Sequence, residues 1–107
     1  MKDFTGKVAV ITGAGRGIGR GIALCCAQEG MKVVLAGFGM ESLTKTEADL
    51  RVAGAETLVV QTDVSQLADV ENLTEKSFAA FGAVDLLVNN AGVAVPASVL
   101  ESTMDDW

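Results

Sequence analysis

The chain has 107 residues, half of them apolar, and a formal net charge of −6. That length bounds one domain or part of one, with enough apolar content to bury a core. The negative balance argues against non-specific nucleic-acid binding and against anionic membrane surfaces, which need a basic face, and no apolar run approaches the ~18 residues of a membrane span.

The N-terminus, Met1-Lys2-Asp3-Phe4-Thr5-Gly6-Lys7, has no apolar signal core. Residues 7–12 then read as a buried strand: short, apolar, β-branched and closed by glycine. A helix from Gly17 to about Gln28 sets Ile18, Ile22 and Cys25 at i, i+4 and i+7 as its expected buried face, and Gly30 stops it. Residues 32–36 form the second strand. A helix from Met40 to Val52 follows, with Leu43 and Leu50 on one face and Gly54 at its end. Residues 57–61 are the third strand. Ser65 is the expected N-cap of a third helix that buries Val70, Leu73, Ser77 and Phe81 and ends at Gly82. Residues 85–89 are the fourth strand. After a loop, Thr103-Met104-Asp105-Asp106 has the form of a capping box opening another helix. Strands alternating with helices over short connections imply a parallel sheet with helices on both faces, an α/β fold.

Cys25 and Cys26 are adjacent. Neighbouring helical side chains point about 100° apart, so the two are not placed to bridge each other. With no His and no further Cys, no metal site is expected, and two free thiols fit a reduced, cytoplasmic compartment.

Three strings carry the chemistry. Thr12-Gly13-Ala14-Gly15-Arg16-Gly17-Ile18-Gly19 joins the first strand to the first helix. Glycines let the backbone approach a pyrophosphate, and the helix N-terminus offers free N–H groups and a partial positive charge. The spacing is not G-x-G-x-x-G. It fits both G-x-G-x-G, as in S-adenosylmethionine methyltransferases, and T-G-x-x-x-G-x-G; a turn without a ligand is the plain alternative. Asp63-Val64 follows the third strand. Strand carboxyl ends face the ligand crevice of such a sheet, so Asp63 could accept from an adenine amine while Val64 lines the ring; the alternative is that Asp63 only serves the turn before a helix. Asn89-Asn90-Ala91-Gly92 closes the fourth strand. Its amides can pair with strand-end backbone groups, and Ala and Gly leave room for a ribose.

In this order the three strings resemble the short-chain dehydrogenase/reductase family, in its ordinary single-domain form, across essentially the whole chain. The methyltransferase reading gives no reason for Asn-Asn-Ala-Gly. The resemblance implies a Rossmann-type doubly wound parallel sheet with strand order 3-2-1-4, truncated here after the fourth strand. It assigns Gly13, Gly15, Arg16, Gly17, Ile18 and Gly19 to the pyrophosphate and adjoining ribose. It assigns Asp63 and Val64 to adenine, and Asn90, Ala91 and Gly92 to the adenine-side ribose and the approach to the nicotinamide. At the tip of the second strand, Gly37 stands where NAD-preferring relatives carry Asp, which removes the repulsion of a 2′-phosphate. Phe38 stands where NADP-preferring relatives often carry Arg, and Arg16 occupies the other basic position. The balance favours NADP over NAD.

Family members use Tyr-x-x-x-Lys with Ser and Asn to move the proton that accompanies hydride transfer between nicotinamide and a carbonyl or alcohol. This chain has no Tyr. The expectation is therefore no catalytic residue here, and an amino-terminal fragment of a cytoplasmic NAD(P)-dependent oxidoreductase that is homo-oligomeric at full length and acts on a small carbonyl or alcohol. The alternative is a non-catalytic nucleotide-binding or interaction module that pairs with another chain. The chain alone is expected to be inactive and to self-associate.

Overall fold

Five consecutive buried residues form β1 (Val8–Thr12). A strand buried at every position needs cover on both faces and a neighbour on each edge. The neighbours of β1 are β2 (Lys32–Gly37) and β4 (Leu86–Asn89), and β3 (Thr57–Gln61) lies beyond β2. The order is β3-β2-β1-β4, and every pair is parallel. The structure is a computed structural model that describes residues 4–90. The helix anticipated near Thr103, with Ala91 and Gly92, lies outside the described residues.

Cover comes from α1 (Gly17–Gln28) and α2 (Met40–Val52) on one face and α3 (Leu67–Phe81) on the other. Side-chain alternation along the strands divides the core accordingly. Ala9, Ile11, Val33 and Leu35 pack with Ala23, Cys26, Leu43 and Leu50. Val8, Val10, Val34 and Ala36 pack with Val60, Leu73 and Val84. Parallel register levels the carboxyl ends: Thr12 lies beside Ala36 and Asn89, and Gly37 lies beside Gln61. This level edge is where the motif residues meet.

Two local expectations are corrected. The buried face of α1 is Gly19, Ala23, Cys26 and Ala27, whereas Cys25 is exposed and Ile18 is 75% exposed. The helix lies so near the sheet that small residues must face it, and the larger apolar ones turn outward; Ile22 is only partly buried against the core. Burial raises the pKa of the Cys26 thiol, and neighbouring Cys25 adds to the rise. Such a thiol is poorly nucleophilic. Second, Gln66 rather than Ser65 is the N-cap residue of α3, and no side chain caps that helix. The Ser65 hydroxyl instead donates to Asp63 Oδ1 at 2.6 Å. The charged acceptor turns the Ser65 side chain back onto its own turn, and the helix begins one residue later. Val70, Leu73 and Ser77 are buried as anticipated, Phe81 is only partly so, and Asp85 stands just before β4, its Oδ2 accepting from Val8 N–H at 2.8 Å.

Candidate functional site

The turn between β1 and α1 is built from left-handed and sterically confined glycines. Gly13 and Gly17 have φ of +63° and +60°, a region that side chains other than glycine enter at a cost. A Cβ on Gly17 would meet nothing within 4 Å, so its demand is conformational. Gly19 is the reverse case. A Cβ there would lie 2.1 Å from the Gly13 carbonyl oxygen and 2.7 Å from Asn90 Nδ2, so the first turn of α1 sits directly on the loop. Gly15 is confined by α2: its Cβ would lie 2.7 Å from Ser42 Cβ.

The residue at the N-cap of α1, Arg16, is extended, and no side chain caps the helix. The N–H groups of the first turn are therefore open to a ligand, with the positive end of the helix dipole behind them. Behind the loop, Arg20 of α1 pairs with Asp49 of α2. Thr46, fully buried, lies with its hydroxyl 3.4 Å from the Gly15 carbonyl. These contacts fix the loop from below.

The end of β4 is tied to the same place. The Asn90 N–H donates to the Thr12 hydroxyl at 2.9 Å, and that hydroxyl donates to Asn89 Oδ1 at 3.0 Å. Thr12 is thus the clasp that brings Asn90 to the glycine turn, a role its place at the head of a glycine motif did not announce. Across the crevice, Asp63 is oriented by three hydrogen bonds. Its Oδ1 accepts from the Ser65 hydroxyl and from Ser65 N–H at 3.0 Å, and its own N–H donates to Asp69 Oδ2 at 2.9 Å. Asp69 was not singled out in the sequence; its spacing of six residues from Asp63 is no recognised motif. The Ser65 hydroxyl, then the Ser65 N–H, holds the Asp63 carboxyl below the usual carboxylate range.

These residues surround a cleft of about 400 Å³ lined by Gly13, Arg16, Gly37, Phe38, Thr62, Asp63, Val64 and Asn90. A smaller one of about 160 Å³ adjoins it, reaching Gly15, Gly39, Ser42 and Leu43 and sharing Gly13, Arg16, Gly37 and Phe38. Gly13, Gly15, Arg16, Asp63, Val64 and Asn90 thus come together. Gly17, Ile18 and Gly19 line neither cleft; they form the helix start beside it. Among the described residues no group of three or more His, Cys, Asp or Glu is placed to hold a metal, and no helix is long and apolar enough to cross a membrane.

The Asp63 turn yields a pH prediction. A carboxyl whose folded pKa is depressed adds stability above its unfolded pKa and loses it as pH falls through the folded value. Ser65→Ala removes the larger cause, so the Asp63 carboxyl should titrate at higher pH than in the wild type. Carboxyl-carbon NMR shifts followed through an acid titration check this; an unchanged midpoint would show that the hydroxyl does not hold the charge.

The sequence matches the short chain dehydrogenase family over residues 7–107. It is 42% identical over 107 residues to a CLA biosynthesis dehydrogenase/reductase of Lactiplantibacillus plantarum, covering all of this chain and 37% of that protein. Among solved structures it is similar to a short-chain dehydrogenase/reductase from Burkholderia phymatum in complex with NAD, with TM-score 0.78 and 52% identity over 81% of this chain and 31% of that one. It is also similar to a metagenomic short-chain oxidoreductase in complex with NADP, with TM-score 0.80 and 40% identity over 84% of this chain and 41% of that one. The chain spans less than half the length of the curated relatives it matches. The chain therefore belongs to the short-chain dehydrogenase/reductase family.

Proposed function

We propose that this chain is the amino-terminal, cofactor-binding part of a single NAD(P)-binding domain in a cytoplasmic oxidoreductase. The observation that carries the reading is the convergence of an uncapped α1 N-terminus, Arg16, Asp63 and Asn90 on one cleft. In it the first turn of α1 takes the pyrophosphate, Asp63 and Val64 take adenine, and Asn90, with Ala91 and Gly92 beyond it, takes the adenine-side ribose and the approach to the nicotinamide. The bound cofactor would supply hydride exchange with a small carbonyl or alcohol. The Tyr, Lys and Ser that handle the proton in the family have no counterpart in this sequence, which contains no Tyr. The work of these residues is to bind and orient.

NADP is favoured over NAD. The smaller cleft has Arg16, Ser42 and four glycines beside Phe38 and Leu43, and no carboxylate in its lining. Glu41, in the first turn of α2, is occupied by Lys45 at 3.6 Å. A 2′-phosphate there meets one guanidinium and no lining anion. Calorimetry should find NADP+ bound more tightly than NAD+, with no turnover of ketones by the 107 residues alone. Arg16→Ala should weaken NADP+ more than NAD+. Gly37→Asp should lower the preference for NADP+ by about tenfold or more, as a charge set against a phosphate does in a half-exposed site. A Cβ at Gly37 meets only the side chain of Leu43, whose nearest atom, Cδ2, would lie at 3.2 Å, so a shift of a few tenths of an ångström in that side chain admits it. Equal losses for both cofactors in Arg16→Ala would remove its assigned role, and steady turnover would contradict the division of labour.

Among the described residues β4 pairs on one side only, with β1, and its Leu86 is 38% exposed. A strand edge with apolar side chains and no central charge invites another strand. The 107 residues alone should therefore self-associate, whereas the full-length oxidoreductase is expected to be a defined homo-oligomer. Light scattering across a concentration series checks the first point; a monodisperse monomer with a sharp melt would favour an independent module instead.

A further inference from the structure

Four consecutive carbonyls, from Ala36 to Gly39, carry the chain out of β2 and into α2 around the mouths of both clefts. Backbone N–H groups hold three of them. Ala14 donates to Ala36 at 3.2 Å, Thr62 to Gly37 at 2.7 Å and Leu43 to Gly39 at 3.1 Å. Any residue but proline at those positions supplies the same donors. The Phe38 carbonyl differs, because its partner is a side chain: Gln61 Nε2 donates to it at 2.9 Å. Gln61 ends β3, opposite Gly37 in the sheet register, and is itself exposed. It contributes nothing to the core, and the β2–β3 register is already fixed by the ladder.

This hydrogen bond ties down the peptide from which the Phe38 side chain projects. Phe38 stands between two glycines, which leave the backbone on either side free to turn. Phe38 is 72% exposed, yet it lines both clefts, the larger one together with Asp63 and Val64. An aromatic face kept in water beside a cleft is stabilised when a flat ligand covers it, and base-on-ring stacking tolerates any base. A phenyl ring has no charge with which to hold a ligand, so its contribution depends on the plane in which it is held.

We propose that Gln61 is a positioning residue for the adenine end of the site: through the Phe38 carbonyl it fixes the Gly37-Phe38-Gly39 turn, so that the Phe38 ring covers one face of the base while Asp63 and Val64 hold its edge. This rests on the cofactor-binding reading above. It makes residue 61, which never touches the ligand, a determinant of cofactor affinity.

The test is a double-mutant cycle, read by calorimetric binding of NADP+ to the protein and its Gln61→Met, Phe38→Ala and doubly substituted forms. Gln61→Met keeps the length and removes the donor at an exposed position, so the melting temperature should not move. Its affinity should fall by about 3- to 10-fold, the worth of one hydrogen bond. Phe38→Ala should lose about tenfold or more, as when a stacking ring is removed. In the Phe38→Ala background Gln61→Met should cost nothing further, because no ring is left to position. Unchanged affinity in Gln61→Met, or the same loss in both backgrounds, overturns the proposal. A wild-type protein that binds neither NADP+ nor NAD+ overturns the functional reading, and this one with it; wild-type binding with an indifferent Gln61→Met overturns this one alone.

Discussion

The site depends on one close approach. The first turn of α1 sits on the β1–α1 loop so tightly that a single methyl at Gly19 would lie 2.1 Å from the Gly13 carbonyl oxygen. Contact at that distance cannot be relieved by a rotamer, because the obstructing atom is backbone. The same approach is made from the other side by α2, whose Ser42 leaves no room for a Cβ on Gly15. The loop is therefore clamped between two helix starts, and its backbone is presented toward the cleft. The small-residue face of α1 follows from this geometry: Gly19, Ala23 and Ala27 let the helix axis come down onto the sheet.

A helix held that close delivers its open N–H groups to a fixed point, and the level ends of a parallel sheet bring the other partners there. The polar cost of gathering strand ends in one place is met by specific pairs. Thr12 links β1 to Asn89 and Asn90, Asp63 closes its own turn with Ser65 and is anchored by Asp69, and Thr46 with Arg20 and Asp49 supports the loop from behind. Among the described residues no buried side-chain nitrogen or oxygen lacks a partner. The cleft is thus preorganised: a ligand entering it need not pay to order these groups.

Much of this was legible in the residues. The bounds of α1, α2 and β3 follow from apolar periodicity and glycine stops, and the helix–strand alternation leads to the parallel sheet. The motif strings then gather at one end of that sheet, around one cleft. What escaped was what hydrophobicity does not encode. Ile18 and Cys25 fit a helical stripe better than Gly19 and Cys26 do, yet a face selected for close approach is selected for smallness, so the stripe pointed the wrong way. Ser65 has the composition of a helix cap, but its side chain is turned back onto the Asp63 carboxylate and the helix begins one residue later. Asp69 and Gln61 act on positions six and twenty-three residues away, and such partnerships exist only once the chain has folded.

The central claim is that the carboxyl edge of the sheet, and not another surface, receives a dinucleotide on the open start of α1. Backbone amide NMR during titration with NADP+ addresses it directly. The account predicts the largest shifts at Gly15, Gly17, Ile18 and Gly19, with Phe38, Asp63 and Asn90 moving at the same ligand concentration. A second cleft of about 400 Å³ opens at the opposite end of the strands, lined in part by Thr5, Gly30, Lys32, Gly54 and Glu56. Shifts concentrated there, with the glycine turn silent, would contradict the account.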